Sequence, residues 1–274
     1  MSADELRLSD WLFEASARLT RAGIDSPVIE AQLLASGVLG WSRSEVLTRG
    51  DQRVERALLD ALLERRLARE PIAYLLGRRE FFGLMFEVSP AVLIPRPETE
   101  FLVEAAVQWV RKDPSLARIV DVGTGSGCIA VSVAHRLPLP VVAIDVSAAA
   151  LAVARRNAEA LGVTIEFVEA DGIAWLESAL PTDLVVTNPP YVGFSDPLEP
   201  EIRDYEPSIA LFAGVDGLDF YRRLARIEPR PPLLMEIGWG QDAAVAGLFE
   251  SAGWRHIESW RDYAGIVRVL GFRP

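Results

Sequence analysis

The sequence predicts an α/β protein in which a small all-helical unit precedes a larger domain built on a doubly wound, mostly parallel sheet. Three observations support this. The chain has 274 residues and is half apolar, enough for one sizeable domain and a smaller one. Apolar residues recur at helical spacing over residues 1–75. Strand-like and helical patterns then alternate to the end of the chain, which is typical of a parallel sheet.

The first two helices of the N-terminal unit are predicted from apolar spacing and a start signal. Apolar residues from Leu6 to about Arg21 fall on one helical face. The second helix is predicted to begin with Ser26 as N-cap and Pro27 in the first turn, where the missing N–H of proline costs nothing.

Two further helices complete the predicted unit. Ser42 and Glu45 have the spacing of a capping box, which predicts a third helix behind them. A fourth is predicted from Asp51 until Pro71 stops it. Residues 1–75 are therefore expected to form a helical bundle, residues 76–97 a β-hairpin connector around Gly83, and residues 98–274 the sheet domain.

The sheet domain is predicted to open with a helix at 98–112 and to contain seven strands. The first five are short, nearly continuous apolar runs, as expected of strands covered on both faces. The last two are close enough in sequence to form an antiparallel hairpin. The predicted strands are 118–122, 141–144, 164–168, 183–187, 232–237, 256–260 and 266–272.

Composition excludes several classes of protein. One cysteine rules out a disulfide framework, and two histidines leave little for a metal site, so no metal is expected. Met1 to Asp10 are polar and no long apolar run follows, so a cytoplasmic protein without a membrane partner is expected. The net charge is −11, of which residues 86–274 carry −10, and this disfavours nucleic acid as a partner. A monomer is expected.

A glycine-rich loop follows the first predicted strand of the sheet. Residues 123–127 read Gly-Thr-Gly-Ser-Gly, so the backbone can turn tightly and approach a ligand closely. The spacing differs from the Gly-x-Gly-x-x-Gly of dinucleotide binders, and no Gly-Lys-Ser/Thr follows to hold a triphosphate. The loop therefore favours a nucleoside cofactor over NAD or ATP.

Two acids follow the next two predicted strands. Asp145 ends the second strand about twenty residues after the loop, where a carboxylate can accept hydrogen bonds from both ribose hydroxyls of an adenosine. An ordinary exposed acid or a helix cap is the alternative for Asp145. Asp171, followed by Gly172, is placed to meet the adenine amino group.

The fourth predicted strand runs into Asn188-Pro189-Pro190-Tyr191. Two prolines after a strand stop ladder pairing and fix the backbone, so the Asn188 side-chain oxygen and the Pro189 carbonyl become two fixed acceptors. The Tyr191 ring can cover a flat group beside them. Two acceptors that take both hydrogens of a planar amide or amino nitrogen orient it toward an electrophilic methyl group. A purely structural proline turn is the alternative.

Some residues with possible chemistry are expected to be structural instead. Cys128 lies one residue into the helix behind the loop, where a small apolar residue packs. Trp239, Trp254 and Trp260 are expected to fill the core.

In this order the loop, the two acids and the Asn-Pro-Pro-Tyr turn resemble the class I S-adenosylmethionine-dependent methyltransferases that act on planar nitrogen. Within them the chain is similar to the release factor glutamine methyltransferases, the PrmC or HemK family. The resemblance runs from about residue 65 to the end, and the specific part is Pro95 to Glu100 joined to Asn188 to Tyr191. Further matching segments are 70–77, 80–83, 205–207 with 210–211, 216–218, 236–238 with Gln241, and 261–262 with Arg268. Ala264 to Val267 depart from the charged pair that the family more often has before this arginine.

The resemblance implies a Rossmann-like fold with a mostly parallel seven-stranded sheet and a C-terminal antiparallel hairpin. It implies methyl transfer from S-adenosylmethionine, leaving S-adenosylhomocysteine, to the side-chain amide nitrogen of the glutamine in the Gly-Gly-Gln motif of class-1 peptide chain release factors. The helical unit would help to hold that protein substrate.

The resemblance also assigns site residues. Catalysis and glutamine binding fall to Asn188, Pro189, Pro190 and Tyr191. Arg96, Glu98 and Thr99, in a family segment close to the active site, are also expected to bind the substrate. Cofactor binding falls to Gly123, Thr124, Gly125, Ser126, Gly127, Asp145, Asp171, Gly172 and Asn188.

Two alternatives remain at this level. An adenine-N6 or other nucleic-acid amino methyltransferase would use the same turn, because an exocyclic amine is also planar with two hydrogens. A non-catalytic binding module of methyltransferase fold is the other. A positive groove leading to Asn188 would favour the first, and cofactor binding without turnover would favour the second.

Overall fold

The chain divides into two compact units in a computed structural model that describes residues 5–274. The first unit comprises the chain up to Gly77 together with Glu199–Tyr205, and the second comprises Arg78–Leu198 and Glu206–Pro274. The first four residues of the predicted polar start lie outside the described residues. Within 5–274, no helix is both long and apolar enough to cross a membrane.

The first unit is helical and encloses its own apolar core. Trp11, Leu34, Leu59 and Leu63 are fully or almost fully buried in it. Its elements are β1 (Glu5–Arg7), α1 (Leu8–Arg21), α2 (Pro27–Leu39), α3 (Arg43–Thr48), β2 (Arg53–Glu55), α4 (Arg56–Leu67), α5 (Ile72–Leu76) and, from the later segment, α10 (Pro200–Tyr205), which is the tenth helix within the described residues.

Two predicted helix starts in this unit were wrong. Helix α1 begins at Leu8 and α4 at Arg56, because β1 and β2 pair antiparallel, with Leu6 opposite Val54. Strands of three residues are too short to show a period in the sequence. The capping box was confirmed: the Ser42 hydroxyl accepts from the Glu45 N–H, and the Glu45 carboxylate accepts from the Ser42 N–H.

The proposed N-cap of α2 also needs correction. Ser26 stands at the cap position with Pro27 behind it, but its side chain accepts no hydrogen bond from the helix. Its backbone is left-handed, with φ of 51°, instead of the extended conformation from which a serine hydroxyl reaches the first-turn N–H groups.

The second unit carries the sheet. The predicted strand pair of the connector was confirmed as an antiparallel hairpin of its first two strands. In chain order its elements are β3 (Arg78–Phe81), β4 (Leu84–Glu87), a 3-10 turn (Pro97–Thr99), α6 (Glu100–Lys112), β5 (Arg118–Val122), α7 (Cys128–Arg136), β6 (Val141–Asp145), α8 (Ala148–Ala160), β7 (Glu166–Glu169), α9 (Gly172–Trp175), a 3-10 turn (Leu176–Ser178), β8 (Asp183–Thr187), a 3-10 turn (Ser208–Ala210), α11 (Asp219–Leu224), β9 (Leu233–Glu236), α12 (Asp242–Ser251), β10 (Arg255–Arg261) and β11 (Val267–Arg273).

The fold class was confirmed. The seven-stranded sheet has the order β10-β11-β9-β8-β5-β6-β7. Neighbours from β9 to β7 are parallel, whereas β11 is antiparallel to both β9 and β10. Successive residues of β5, Ile119 and Val120, lie in two different buried apolar clusters, as do Val141 and Val142 of β6. Both faces of the sheet are therefore covered, which explains the continuous apolar runs.

The strand order places the functional segments side by side. Strand β5 lies between β6 and β8, so the chain leaves β5 in one direction across the sheet and later returns on its other side. Ligands of doubly wound sheets bind at such a reversal, outside the carboxyl ends of the strands. The Thr187 hydroxyl at the end of β8 donates to the Val122 carbonyl at the end of β5, at 2.7 Å.

The tryptophan prediction was right for two residues and wrong for the third. Trp254 is buried and Trp260 packs against the core. Trp239 is 79% exposed. It lies between Gly238 and Gly240 in the turn after β9, where the chain has already left the sheet.

Candidate functional site

A cavity of about 540 Å³ opens in the second unit at the carboxyl ends of β5, β6 and β8. This volume lies within the usual range of small-molecule sites. The structure brings most of the predicted site residues together around it. Those that line it are Arg96, Thr99, Gly123, Thr124, Gly125, Ser126, Asp145, Asp171, Gly172, Asn188, Pro189 and Pro190.

The glycine loop is shaped by its backbone. Gly123 and Gly125 have φ of 74° and 55°, and a Cβ added at either would meet no other atom within 4 Å, so the left-handed backbone is what requires glycine. Gly127 has a packing role outside the cavity wall: a Cβ there would stand 3.0 Å from the Cβ of Ala154 in α8.

Asp121, the last residue but one of β5, is hydrogen-bonded to the glycine loop and to the helix that follows it. Its buried carboxylate accepts from the Thr124 hydroxyl at 2.7 Å and from the Ala130 N–H at 3.2 Å. Burial raises the pKa of Asp121 to about 7. Cys128 is buried as expected, and burial raises the pKa of its thiol to about 12, so it stays a neutral packing group.

Asp145 is fixed at the end of β6 by backbone donors. Its two carboxylate oxygens accept from the Gly125 N–H and the Ser147 N–H, each at 2.9 Å. A carboxylate has about four acceptor sites, so lone pairs remain for hydroxyl groups in the cavity. Asp145 therefore connects the end of β6 to the glycine loop.

Asp171 is held by partners that the sequence did not indicate. It caps α9 by accepting from the Ile173 N–H at 2.9 Å, and it pairs with Arg223 at 2.6 Å. The hydrogen bond from Arg223 holds the pKa of Asp171 below its usual value. Gly172 leaves no room for a side chain, because its Cβ would lie 2.5 Å from Val122.

Asn188 carries the distinctive polar group of the cavity wall. Its side-chain N–H donates to the Thr99 hydroxyl at 3.0 Å. Its oxygen, Oδ1, is buried and has no hydrogen-bond partner within residues 5–274. A buried acceptor without a donor costs free energy, which a ligand N–H would recover.

Tyr191 and Glu98 do not belong to the cavity wall in the part of the chain that the structure describes. The Tyr191 ring packs against the buried cluster beside β9, and burial raises its pKa to about 12, so the phenol stays protonated. The predicted role of Tyr191 as a cover for a flat group stays a prediction.

Gln241 fixes the end of the proline turn, a role that sequence reasoning missed. Its side-chain oxygen accepts from the Gly238 N–H and its side-chain N–H donates to the Tyr191 carbonyl, both at 3.0 Å. The same carbonyl is approached so closely by Gly217 that a Cβ there would lie 2.2 Å from it. Both Gln241 and Gly217 lie in segments that carry the family resemblance, and this was the sequence signal that could have indicated their roles.

Two buried glutamates stand behind the cavity wall, and neither was predicted as a site residue. Glu206 accepts from the Ile94 N–H at 3.1 Å and pairs with the guanidinium of Arg96. Glu236, at the end of β9, receives a hydrogen bond from the Thr99 side chain, and burial raises its pKa to about 7. Arg268 pairs with Asp262 at 2.8 Å, so the altered residues before it leave it with a partner.

Family models match both parts of the chain. Residues 10–77 match the PrmC N-terminal domain, and residues 99–196 match the methyltransferase small domain. Among solved structures, the hMettl16 catalytic domain in complex with MAT2A 3'UTR hairpin 6 is similar, with a TM-score of 0.53 and 18% identity over 77% of this chain and 81% of that one. At this identity the similarity shows the fold alone.

Several curated relatives that are much more similar in sequence are named release factor glutamine methyltransferase. The protein from Burkholderia pseudomallei is 44% identical over 94% of this chain and 95% of its own. That from Geobacter sulfurreducens is 39% identical over 97% and 95%, and that from Bordetella pertussis 45% over 89% and 94%. Identity of this extent over nearly the whole length, together with the two domain matches, shows that the chain belongs to the release factor glutamine methyltransferase family.

Proposed function

We propose that the protein transfers a methyl group from S-adenosylmethionine to the side-chain amide nitrogen of the glutamine in the Gly-Gly-Gln motif of class-1 peptide chain release factors. The observation that carries this proposal is the buried, unpaired oxygen of Asn188 in the wall of the cavity. The names of the curated relatives support the choice of substrate. The proposal includes action as a monomer in the cytoplasm.

The residues around the cavity fit S-adenosylmethionine. The cavity volume of about 540 Å³ is sufficient for a ligand of this size. A Cβ built at Gly123 or Gly125 meets no atom within 4 Å, so a ligand can approach the backbone of the glycine loop closely. Asp145, Asp171 and Gly172 line the cavity. Asp145 offers lone pairs for the ribose hydroxyls, and Asp171 with Gly172 is proposed to hold the adenine. The glycine loop would hold the methionine part of the molecule.

The main task of the chain is to align the substrate nitrogen with the methyl carbon of the cofactor. The bound sulfonium supplies an electrophilic methyl carbon and its own leaving group. An amide nitrogen is a poor nucleophile because its lone pair is delocalised into the carbonyl. The Asn188 oxygen and the Pro189 carbonyl are proposed to accept its two hydrogens and to turn the lone pair toward the methyl carbon.

The balance of the reaction needs no strong base in the chain. A nitrogen–carbon bond forms, the carbon–sulfur bond breaks, and the nitrogen releases one proton to water. Within residues 5–274 no group of three or more His, Cys, Asp and Glu side chains has the geometry to hold a metal ion.

The proposal is tested by incubating the purified protein with S-adenosylmethionine and a purified class-1 release factor, followed by peptide mass spectrometry. The expected result is a gain of one methyl group on the peptide that contains Gly-Gly-Gln. A release factor with Gln→Ala in this motif serves as the matched substrate control. Methylation of duplex DNA or RNA with no methylation of the release factor would refute the proposal.

A further inference from the structure

We infer that Thr99 is a positioning residue: it orients the side-chain amide of Asn188 so that the amide oxygen is directed at the substrate nitrogen that receives the methyl group. Glu236 in turn orients the Thr99 hydroxyl. This inference rests on the proposed function and extends it to two residues outside the Asn-Pro-Pro-Tyr turn. The three side chains come from the 3-10 turn before α6 and from the ends of β8 and β9.

Thr99 and Glu236 are inaccessible to solvent, each with 2% of its surface exposed. The Asn188 side-chain N–H donates to the Thr99 hydroxyl oxygen at 3.0 Å. The Thr99 side chain also acts on the Glu236 carboxylate as a hydrogen-bond donor, which lowers the pKa of that group against the effect of burial. The Thr99 N–H donates to the Arg96 carbonyl, which holds the turn itself. Charged groups that act on Glu236 from the surrounding elements are Arg96, Glu98 and Arg268.

Above about pH 7, where the Glu236 carboxylate is ionised, the Thr99 hydroxyl and the Asn188 amide have only one complementary hydrogen-bonding arrangement. An ionised carboxylate accepts hydrogen bonds only, so the single hydroxyl proton of Thr99 is donated to Glu236. The Thr99 oxygen then presents lone pairs to Asn188. Those lone pairs attract the NH₂ side of the Asn188 amide and repel its oxygen, so the oxygen is turned away from Thr99.

This orientation needs a partner because the last side-chain torsion of asparagine has little intrinsic preference. Rotation about its last side-chain bond is broad and nearly two-fold, so NH₂ and oxygen can exchange places at little intrinsic cost. An exchanged amide would direct N–H donors at the N–H groups of the substrate and so lose the acceptor that aligns the nitrogen. Thr99 thus acts through Asn188 and need not touch the substrate.

The kinetic test compares Thr99→Val, which keeps the shape and removes the hydroxyl, with Thr99→Ser, which keeps the hydroxyl. The kcat of Thr99→Val for release factor methylation is expected to fall at least about tenfold, with KM for S-adenosylmethionine within about twofold of wild type, because misplaced groups lose alignment. Thr99→Ser should recover most of the lost rate. Thr164→Val, at an exposed position outside the helices and strands, is the matched control.

A spectroscopic test separates this inference from the proposed function. The chain has two asparagines, Asn157 and Asn188, so ¹⁵N-asparagine labelling gives two side-chain amide pairs. Asn157 donates to the Glu87 and Ser126 carbonyls and serves as an internal reference. In Thr99→Val one Asn188 proton resonance should move upfield while both Asn157 resonances stay in place.

The two readouts identify which statement fails. Wild-type protein that does not methylate the release factor contradicts the proposed function, and the Asn188 resonances still test the orientation. Unchanged Asn188 resonances in Thr99→Val, or equal loss of kcat in Thr99→Val and Thr99→Ser, would overturn the role assigned to Thr99.

Discussion

At the scale of single residues, Asn188 combines a held N–H with a free oxygen. Replacement by alanine removes the acceptor without adding bulk. We expect Asn188→Ala to lower kcat for release factor methylation about 10²- to 10³-fold, the usual effect of removing one preorganised polar group from an active site. Single-turnover kinetics with saturating cofactor measure this directly. A rate near that of wild type would contradict the assignment.

Asp145 gives a prediction about cofactor affinity. Its carboxylate is the proposed partner of the ribose hydroxyls and also accepts from the Gly125 N–H. Hydrogen bonds to charged groups contribute about 1.5–3 kcal/mol each, so Asp145→Ala should raise the Kd of S-adenosylhomocysteine at least about tenfold. Isothermal titration calorimetry measures this Kd. Glu169→Ala, an exposed acid at the end of neighbouring β7, should leave it unchanged.

Glu236 makes stability depend on pH. Burial raises its pKa from 4.5 to about 7, so between these values the folded protein keeps a proton that the unfolded chain has released. The free energy of unfolding therefore falls as pH rises from about 4.5 to 7. Asp121, whose pKa is also raised to about 7, acts in the same direction.

We expect this decline to be smaller in Glu236→Gln, which cannot titrate, with the contribution of Asp121 still present. Urea unfolding at pH 5, 6 and 7 measures the slope. The exposed Glu159→Gln should keep the slope of wild type. A slope in Glu236→Gln as steep as in wild type would show that Glu236 titrates normally in the folded protein.

Most of the residues that sequence reasoning assigned to the site do line the cavity, because most of them follow strand ends in recognisable order. It did not find the contacts behind them. Thr99 and Asn188 are 89 positions apart, and the pairing of Thr99 with Glu236 joins two separate elements. No local period or spacing encodes such a contact, so these partners become visible only when the fold brings the elements together.

At the scale of elements, strands β5 and β8 are joined at both ends. At their carboxyl ends Thr187 bonds to Val122, and at their amino ends Arg118 pairs with Asp183 through two contacts of 2.9 and 2.7 Å. The Asp183 side chain is fully buried and that of Arg118 is 27% exposed. The cavity is at the opposite end of these strands, so the ion pair supports the fold and not the chemistry.

We expect Arg118→Ala to lower the free energy of unfolding by about 3 kcal/mol, since it leaves a buried carboxylate without its cation. Arg156→Ala removes an exposed pair with Glu87 and should cost at most about 1 kcal/mol. Urea unfolding curves give both values. The kcat of folded Arg118→Ala should equal that of wild type, and a loss of stability no larger than in Arg156→Ala would contradict this prediction.

The strands of the sheet were predictable because burial on both faces makes them continuous apolar runs. Each observed strand overlaps its predicted run, and β7 shows the largest shift, starting at Glu166 instead of residue 164. The short β1 and β2 could not be predicted, because three residues establish no period and their pairing depends on a contact across 48 positions.

At the scale of the whole molecule, the helical unit is built from two separate stretches of chain. Arg66, 5% exposed, pairs with Glu30 of α2 and at 3.0 Å with Glu201 of α10. The Tyr205 hydroxyl donates to the Ala68 carbonyl at 2.7 Å. The sequence pattern does not indicate these contacts between charged and polar side chains. The unit was therefore predicted from the first 75 residues alone.

We expect Arg66→Leu to loosen Glu199–Tyr205, since both carboxylates lose their shared cation. Trypsin should then cleave after Arg203, which is exposed, several-fold faster than in wild type, because local opening controls cleavage. Arg18→Leu, which removes an exposed pair with Glu64, is the matched control and should leave this cleavage rate unchanged. Equal rates in all three proteins would show that Arg66 does not hold the segment.

The discontinuous make-up of the helical unit bears on how the family can evolve and be engineered. A gene fragment that ends at Gly77 encodes only part of this unit, because Glu199–Tyr205 is inserted from within the other one. Exchange of the helical unit between relatives by a single crossover would therefore combine the stretch that contains Arg66 from one parent with the stretch that contains Glu201 from another. A chimaera should work best when both stretches come from the same parent, and natural recombination would be expected to keep them together.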